Sequence, residues 1–281
     1  KPDFLIVHLI SSLPLILFNL FNYKTKLILR ISGEPKLNFI RKYLWKFTSN
    51  KIFAVTCPSK ETADLLIKQN IFNSSKVRVL LDPVINIGEI NKKKKVEIDR
   101  KYKDYEYAIS IGRLTKQKNF EFLIKAFKKI NEINPKLKLL IFGDGELKLT
   151  LERKIKKLDL DQNVFICGFS DNIFNYLNCA KFLILSSLYE NPGHVLMEAA
   201  ATNCSIISSN CPHGPLEFLE NGKGGYIFKL NNEEDLINQF RLFLKEDDKI
   251  KFIKKVRVKK KSIQYTKFRH YLSLKNILLM S

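Results

Sequence analysis

Short apolar runs alternate with amphipathic stretches along most of this chain. Runs of mostly apolar residues occur at 4–8, 27–31, 53–57 and 77–80, and six more follow between residues 107 and 227. Such runs are typical of parallel strands buried on both faces, and the stretches between them have the period of helices. The pattern therefore predicts an α/β protein with parallel sheets covered by helices on both faces.

The first apolar stretch, residues 4–21, is long enough to be considered as a membrane span. Polar residues and a proline interrupt it. We therefore predict a buried strand over residues 4–8 followed by a core helix, rather than a spanning helix. The interrupting residues are His8, Ser11, Ser12, Pro14 and Asn19.

The segment YENPGHVLMEAAAT, residues 189–202, holds the strongest candidate site. It follows the apolar run at 182–186 and continues into a predicted helix, with Pro192 in the first turn. This arrangement puts Glu190 at the carboxyl end of a strand and Glu198 one turn inside the helix, where ligands bind in open α/β sheets. The amides at the helix N-terminus belong to Gly193, His194 and Val195.

The free amides of a helix N-terminus favour a phosphate, and carboxylates on either side favour hydroxyl groups. A nucleotide sugar has both, with Glu198 accepting from a ribose diol and Glu190 from a sugar hydroxyl. The alternative is that the two glutamates lie in a surface loop and a helix and bind no ligand.

Positive charge is predicted at the same edge of the sheet. Arg113 follows the apolar run 107–111 directly after Gly112, and Lys118 precedes an amphipathic helix predicted from Phe120 to Ile130. Both side chains can stabilise a departing diphosphate. The alternative for Lys118 is a solvated lysine, since the chain is rich in lysine.

The order of these motifs resembles the donor half of the retaining GT-B glycosyltransferases of family 4. The segments are IGRLTKQKNFEFLIKAF, LLIFGDGELKLTLE, VFICGFSDNIFNYLNCAKFLILSS, YENPGHVLMEA and SSNCPHGPLEFLENGKGGYIF. Upstream, LILRISGEPKLNFIRKYLWK and VTCPSKETADLL resemble the acceptor half of bacterial members that build surface glycans such as lipopolysaccharide.

The resemblance implies a GT-B fold, in which two Rossmann-like doubly wound domains face a cleft. We expect a partial acceptor-side domain at 1–90, a basic linker at 91–104 and the donor domain at 105–258. Helices at 259–281 are expected to cross back to the first domain. The first domain is expected to be incomplete, because no glycine-rich loop follows its first strand. The apolar face of the crossing helices is predicted from Tyr265, Phe268, Tyr271, Leu272 and Leu274.

The resemblance also implies roles for single residues. Arg113 and Lys118 hold the donor diphosphate, Glu190 holds the sugar and Glu198 the ribose. Gly112 belongs to the donor site, with Gly143 and Phe169 near the base. Asp3 and His8 have the spacing of a family pair at the cleft, which makes His8 the candidate to touch the reacting sugar. The alternative for His8 is a hydrogen-bonded core histidine.

The loop departs from the family pattern, because Glu190-Asn191-Pro192-Gly193 replaces Glu-Gly-Phe-Gly and leaves the donor sugar open. Gly193 still allows close backbone approach. Gly143-Asp144-Gly145 has the alternative reading of an ordinary turn. Asp159 and Asp161 lie between a helix and a strand, so we interpret them as turn residues and expect no metal ion and no cofactor.

A formal charge of +21 favours a partner with negative charge. We expect an anionic membrane surface, although a compositional bias towards lysine gives the same charge. Nucleic acid is disfavoured, since the basic runs lack interleaved aromatic residues. Five scattered cysteines without metal spacing favour a reducing compartment. The predicted location is cytoplasmic, peripheral at the inner face of the membrane.

Together these features predict a metal-independent retaining glycosyltransferase of hexosyltransferase type. It would move a sugar from a nucleotide diphosphate sugar, with UDP as the expected nucleotide, to a cell-envelope glycan or lipid-linked acceptor. The alternatives are a nucleotide-sugar-binding fragment without catalysis and a GT-B sugar phosphorylase, whose pyridoxal phosphate lysine has no candidate here.

Overall fold

The structure, a computed structural model, describes residues 1–8, 12–21, 23–32 and 38–279. It divides into two compact units. Unit 1 comprises Lys1–Pro83 with Phe268–Ser281, and unit 2 comprises Val84–Lys267. Each unit is built on a parallel sheet, as the apolar runs predict. Residues 33–37, part of the predicted acceptor motif, and residues 9–11 lie outside the described residues.

Strands and helices follow one another in the predicted alternation. The elements up to the first unit boundary are β1 Phe4–Val7, α1 Ser12–Leu20, β2 Lys26–Arg30, α2 Phe39–Thr48, β3 Ile52–Cys57, α3 Lys60–Lys68 and β4 Val77–Val79. Those that follow are α4 Ile87–Lys93, β5 Glu106–Ile111, α5 Phe120–Ile133, β6 Leu137–Phe142, α6 Lys148–Lys157, β7 Val164–Gly168, α7 Phe174–Cys179, β8 Phe182–Leu185, α8 His194–Ala201, β9 Ser205–Ser209, α9 Pro215–Phe218, β10 Tyr226–Phe228, α10 Glu233–Lys245, α11 Asp248–Ser262 and α12 Lys267–Leu278.

Unit 1 has a four-stranded sheet in the sequential order β1-β2-β3-β4. The side chains of Trp45 from α2 and Phe72 lie in its core, with ring centroids 5.8 Å apart. The prediction of a buried strand at 4–8 is wrong, because Leu5 and Ile6 of β1 are exposed. Among the described side chains of α1 only Leu15 and Phe18 are buried, so this helix is only partly the core helix that the sequence predicts. Across the described ranges, no helix combines the length and hydropathy that a membrane-spanning segment needs.

Unit 2 has a six-stranded parallel sheet in the order β10-β9-β8-β5-β6-β7. The chain runs outwards from β5 to β7, then returns and runs outwards on the other side from β8 to β10. This is the doubly wound order of dinucleotide-binding folds, and its direction reverses between β5 and β8. Ligands in such sheets bind outside the carboxyl ends of the strands beside this reversal.

The core of unit 2 is formed by the apolar positions that the sequence indicates. Helix α5 buries five large apolar side chains at helical spacing, and its start at Phe120 is confirmed, although it extends to Ile133. Those side chains pack against the sheet residues Leu139, Ile141 and Ile184. The buried side chains of α5 are Phe120, Leu123, Ile124, Phe127 and Ile130.

Two details of the sequence prediction change. The predicted apolar face of the last helix is wrong at Phe268 and Tyr271, which are exposed. Ile277 of α12 is buried instead, packed with Ile28, Ala54 and Leu80, because positions 274, 277 and 278 share one side of the helix. The lysine-rich segment 91–104 begins inside α4, contains the buried Tyr102 and belongs to unit 2.

Candidate functional site

A cavity of about 530 Å³ lies in unit 2 at the carboxyl ends of β5, β6 and β7, beside the reversal of strand order. Its position follows from the topology, because the loops after these strands emerge at one edge of the sheet. The lining residues are the last residues of strands, residues of the loops that follow the strands, or residues of α7 and α8. They are Ile111, Gly112, Arg113, Phe142, Gly143, Asp144, Phe169, Ser170, Asp171, Ile173, Phe174 and Glu198.

Two glycines bring the backbones of neighbouring loops into contact within this cavity. Gly143 has a φ of +143°, and a Cβ atom there would lie 1.9 Å from the carbonyl oxygen of Gly112. No side chain therefore fits at this position. The backbones of the two loops therefore lie in direct contact at the cavity, and the amides of Gly112 and Gly143 donate to the carbonyl oxygens of Phe142 and Gly168.

Arg113 is the cation of the cavity. Its side chain is exposed, and among the described residues the guanidinium makes no hydrogen bond or ion pair. The loop behind it is held by the amide of Leu114, which donates to the carbonyl oxygen of Asp144 over 2.8 Å. Five N–H donors at the mouth of a cleft are therefore free to bind an anion.

Lys118 and Glu190 form an ion pair beside the cavity. The Lys118 Nζ lies 2.6 Å from Glu190 Oε1, and the two side chains are only 15% and 5% exposed. A Cβ at Gly112 would lie 2.8 Å from Lys118 Cε, so the lysine stem packs against a cavity residue. The two residues join loops that are 72 positions apart in sequence. Neither is among the residues that line the cavity in the described part of the chain.

Serines after β8 and at the end of β9 hold this ion pair in place. The hydroxyl of Ser187 donates to Glu190 Oε1 over 2.6 Å, and that of Ser209 donates to the carbonyl oxygen of Ser187 over 2.8 Å. The hydroxyl of Ser186 donates to the carbonyl oxygen of Lys118 over 2.8 Å. These serines were not predicted, although their place at the ends of buried strands is a usable signal.

Both described donors to the Glu190 carboxylate reach the same oxygen, Oε1. Among the described residues, no side chain donates to Oε2. A carboxylate oxygen accepts two hydrogen bonds, so Oε2 retains its capacity for a ligand hydroxyl. The ion pair with Lys118 thus leaves one face of Glu190 available.

Helix α8 begins at His194, and Gly193 precedes it with a φ of +84°. The prediction that Pro192 occupies the first helical turn is wrong, because Pro192 lies two residues before the helix. The amides of His194 and Val195 belong to the first turn, as expected. Burial raises the pKa of the Glu198 carboxyl above its usual value, and the nearby His194 lowers it by a smaller amount.

The structure brings five of the predicted residues into the cavity lining: Gly112, Arg113, Gly143, Phe169 and Glu198. Phe169 is 78% exposed, which leaves its ring open for stacking. His8 lies in unit 1, directly after β1, and is exposed, so the core-histidine alternative is wrong. The polar cavity residues Asp144, Ser170 and Asp171 were not predicted, although each follows a strand within three residues.

No group of three or more histidine, cysteine, aspartate or glutamate side chains in the described residues is placed to hold a metal ion. Asp159 and Asp161 are exposed in the turn between α6 and β7. The cavity itself combines the open guanidinium of Arg113, the half-buried carboxylate of Glu198, the exposed carboxylates of Asp144 and Asp171, and an exposed aromatic ring. This arrangement suits a ligand with an anionic centre, hydroxyl groups and a planar ring.

Comparison with known proteins agrees with this reading. An uncharacterized glycosyltransferase of Methanocaldococcus jannaschii is 34% identical over 242 residues, which cover 78% of this chain and 58% of that protein. The Campylobacter jejuni N-acetylgalactosamine-N,N'-diacetylbacillosaminyl-diphospho-undecaprenol 4-alpha-N-acetylgalactosaminyltransferase is 29% identical over 256 residues, covering 88% and 68%. The chain thus spans less than the full length of both relatives.

The crystal structure of Anabaena HepE in complex with UDP and glucose is similar in fold, with a TM-score of 0.79 at 15% identity. The match covers 98% of this chain and 77% of HepE. The two parallel α/β units therefore have the GT-B-type fold expected from the sequence. Residues 91–263, more than half of the chain, match the family model described as Glycosyl transferases group 1. The chain therefore belongs to the group 1 glycosyl transferase family.

Proposed function

We propose that this protein moves a hexose-type sugar from a nucleotide diphosphate sugar, UDP-linked, to a cell-envelope glycan or lipid-linked acceptor, with retention at the anomeric carbon and without a metal ion. The observation that carries the proposal is the unit 2 cavity beside the strand reversal, lined by Arg113, Gly143 and Glu198. The Campylobacter relative is named for a diphospho-undecaprenol acceptor, and the HepE structure holds UDP and glucose, which supports both substrates.

Arg113 is proposed to bind the donor diphosphate, because its guanidinium is exposed and has no described partner. A planar fork of donors matches phosphate oxygens. Glu198 is proposed to accept from the ribose hydroxyls, and Phe169 with the Gly143 loop to contact the base. These four residues line one cavity, so a single extended ligand reaches all of them.

Lys118 and Glu190 are proposed to act together at the junction of diphosphate and sugar. An ammonium group has three donors, and the ion pair with Glu190 uses one of them. The others remain for a phosphate oxygen, while Glu190 Oε2 accepts from a sugar hydroxyl. The side chains of Ser187 and Lys118 keep Glu190 in one orientation before the donor binds.

Catalysis is proposed to be electrostatic. The negative charge that grows on the leaving diphosphate is stabilised by Arg113, Lys118 and the amides of Gly193, His194 and Val195. The acceptor hydroxyl attacks on the same face of the sugar, and no protein nucleophile is assigned. His8, exposed at the end of β1, is proposed to contact the reacting sugar.

We further propose a cytoplasmic location, peripheral at the inner face of the membrane. A lipid-linked acceptor requires access to a bilayer surface, and the chain carries a formal charge of +21.

The test is a transfer assay with UDP-glucose, UDP-galactose and their N-acetylated forms, using a sugar-diphospho-lipid acceptor in buffer containing EDTA. We expect one donor to be used, with nuclear magnetic resonance of the product giving the retained anomeric configuration. Arg113→Ala should abolish transfer, whereas Arg153→Ala, at an arginine that is also exposed but lies on α6, should not. An inverted product, strict dependence on manganese, or no transfer from any donor would contradict the proposal.

A further inference from the structure

The outward side of α2 carries a row of large apolar side chains in contact with solvent. Phe39, Ile40, Tyr43 and Phe47 are 86%, 67%, 66% and 64% exposed. Their spacing of one, three and four residues puts them on one side of the helix. Single exposed apolar residues are ordinary on protein surfaces, but a contiguous row marks an interaction site.

The fold of α2 does not depend on this row. The opposite side of the helix buries Trp45 and Thr48, and Trp45 packs against Phe72 in the core of unit 1. The helix start is capped by Asn38, whose side chain accepts from the amide of Arg41 over 2.8 Å. The helix is therefore anchored and capped without its outward side.

Positive charge borders the apolar row. Lys42 and Lys46 are exposed on α2, and neither makes an ion pair or hydrogen bond through its side chain in the described part of the chain. The helix contains no acidic residue. In the sequence from residue 4 to residue 60, nine lysines and arginines stand against one acidic residue, Glu34. An apolar row edged by unpaired lysines is the composition of helices that lie in a membrane interface.

We propose that the outward side of α2 docks on an anionic lipid surface. Phe39, Ile40, Tyr43 and Phe47 enter the boundary between headgroups and acyl chains, and Lys42 and Lys46 contact the anionic headgroups. A second copy of this chain is disfavoured as the occupant, because it would oppose the same positive charge. The phosphates of a nucleic acid could pair with the two lysines, but a nucleic acid backbone has no apolar region in which the side chain of Ile40 could be buried.

This proposal deepens the lipid-linked acceptor of the proposed function, and it is tested without sugar transfer. The protein is sedimented with vesicles of phosphatidylcholine alone or with phosphatidylglycerol added. We expect binding to the anionic vesicles only, falling as salt rises because screening shortens the reach of each charge. Indifference to lipid charge overturns the proposal.

Matched double variants assign the surface. Phe39→Ser/Phe47→Ser should weaken vesicle binding about tenfold or more, given what burial of a phenylalanine contributes. The control Phe252→Ser/Phe268→Ser removes two phenylalanines of similar exposure, 65% and 68%, from α11 and α12 and should bind as the wild type does. Equal losses in the two doubles overturn the assignment to α2.

The lysines are tested in the same way. Lys42→Glu/Lys46→Glu should weaken binding at least about 25-fold, since each basic residue near the surface contributes about fivefold. Lys156→Glu/Lys157→Glu on α6 changes the net charge equally and should have a much smaller effect. Trp45 is the single tryptophan, and its emission reports whether each variant keeps the core of unit 1. If either double variant of α2 unfolds, the single variant Tyr43→Ser is used to test the same side of the helix.

The remaining outcomes separate the occupants. A dimer by light scattering that Phe39→Ser/Phe47→Ser dissolves would show that a second copy covers the row, and RNA binding lost in the lysine variant would favour nucleic acid. Either result overturns the lipid proposal. If the wild type binds UDP but no anionic vesicles, the lipid proposal is overturned and the proposed function stands. If it binds anionic vesicles but no UDP, the proposed function is overturned and the lipid proposal stands.

Discussion

Units 1 and 2 are both parallel α/β structures, but the described strands of unit 1 follow one another in sequential order, whereas the order in unit 2 reverses between β5 and β8. The reversal makes loops diverge at the carboxyl edge, and the 530 Å³ cavity lies beside it. The same alternation of strand and helix therefore forms a cavity where the winding direction changes.

Two arginines, one at the end of β2 and one after β5, differ in their side-chain partners. Arg30 is buried at the end of β2, where it donates to the carbonyl oxygen of Leu80 over 2.6 Å and pairs with Asp82 over 2.5 Å. Arg113 follows β5, is exposed, and has no side-chain partner among the described residues. The first arginine stabilises its own unit, and the second keeps its donors available for the diphosphate that we propose it binds.

The largest predicted effect concerns the buried ion pair of unit 2. Lys118→Met should lower the free energy of unfolding by about 3–5 kcal/mol, because it leaves the Glu190 carboxylate buried without its cation. Lys118→Met/Glu190→Gln should regain most of this loss, since the charge is then absent. Urea unfolding measures both, and equal stability of the single and double variants would remove the pair from our account.

Ser187 provides a smaller and more specific test. Ser187→Ala should weaken binding of the complete sugar donor by about 1.5–3 kcal/mol, the range for a hydrogen bond to a charged group, with UDP binding unchanged. Ser208→Ala is the control, because among the described residues its buried hydroxyl donates only to the carbonyl oxygen of Ser209. A loss of UDP affinity equal to the loss of donor affinity would indicate a general structural role.

Thiol labelling compares the stability of the two units directly. Cys57 in unit 1 and Cys204 in unit 2 are both buried, and burial raises the pKa of each thiol to about 12, so each reacts only when its site opens and the labelling rate reports local opening. We expect Cys57 to react at least about tenfold faster, because its sheet is smaller and more apolar side chains of its unit face solvent. Equal rates by mass spectrometry would mean that the units open together.

The smallest predicted effect concerns Glu198. The raised pKa of its carboxyl means that its contribution to stability is present below its ordinary pKa and lost as pH rises through the folded-state value. Glu198→Gln should therefore raise the Tm at pH 8 by at most about 2–4 °C, and the difference in Tm between variant and wild type should shrink towards pH 4.

The same variant should weaken UDP and the complete donor alike, because Glu198 is proposed to bind the ribose, whereas Glu190→Gln should affect only the sugar-bearing donor. Equal effects of the two substitutions on UDP would contradict the separate roles.

Much of unit 2 could be predicted from local sequence. The bounds of α8, the start of α5 and the alternation of strands follow from apolar periodicity, and the cavity residues Gly112 and Arg113 follow from their place after β5. The ion pair of Lys118 with Glu190 could not be predicted. It depends on the pairing of β5 with β8 across the strand reversal, which no local pattern contains.

The face of α12 was missed for a related reason. Large apolar residues occur on more than one side of this helix, and its position in unit 1 turns Ile277 inwards and leaves Phe268 and Tyr271 exposed. Tertiary packing therefore decided between two apolar sides that the sequence left equivalent. The polar cavity residues Asp144 and Asp171 were not predicted, because no motif of the family resemblance singled them out.

The central claim is that the open arginine of unit 2 holds a nucleotide diphosphate without a metal ion. Isothermal calorimetry of UDP in buffer with EDTA, on the wild type, Arg113→Ala and the control Arg153→Ala, tests it most directly. We expect binding by the wild type and by the control, and a loss of about 1.5–3 kcal/mol in Arg113→Ala. Unchanged affinity in Arg113→Ala, or binding that appears only when manganese is added, would contradict the claim.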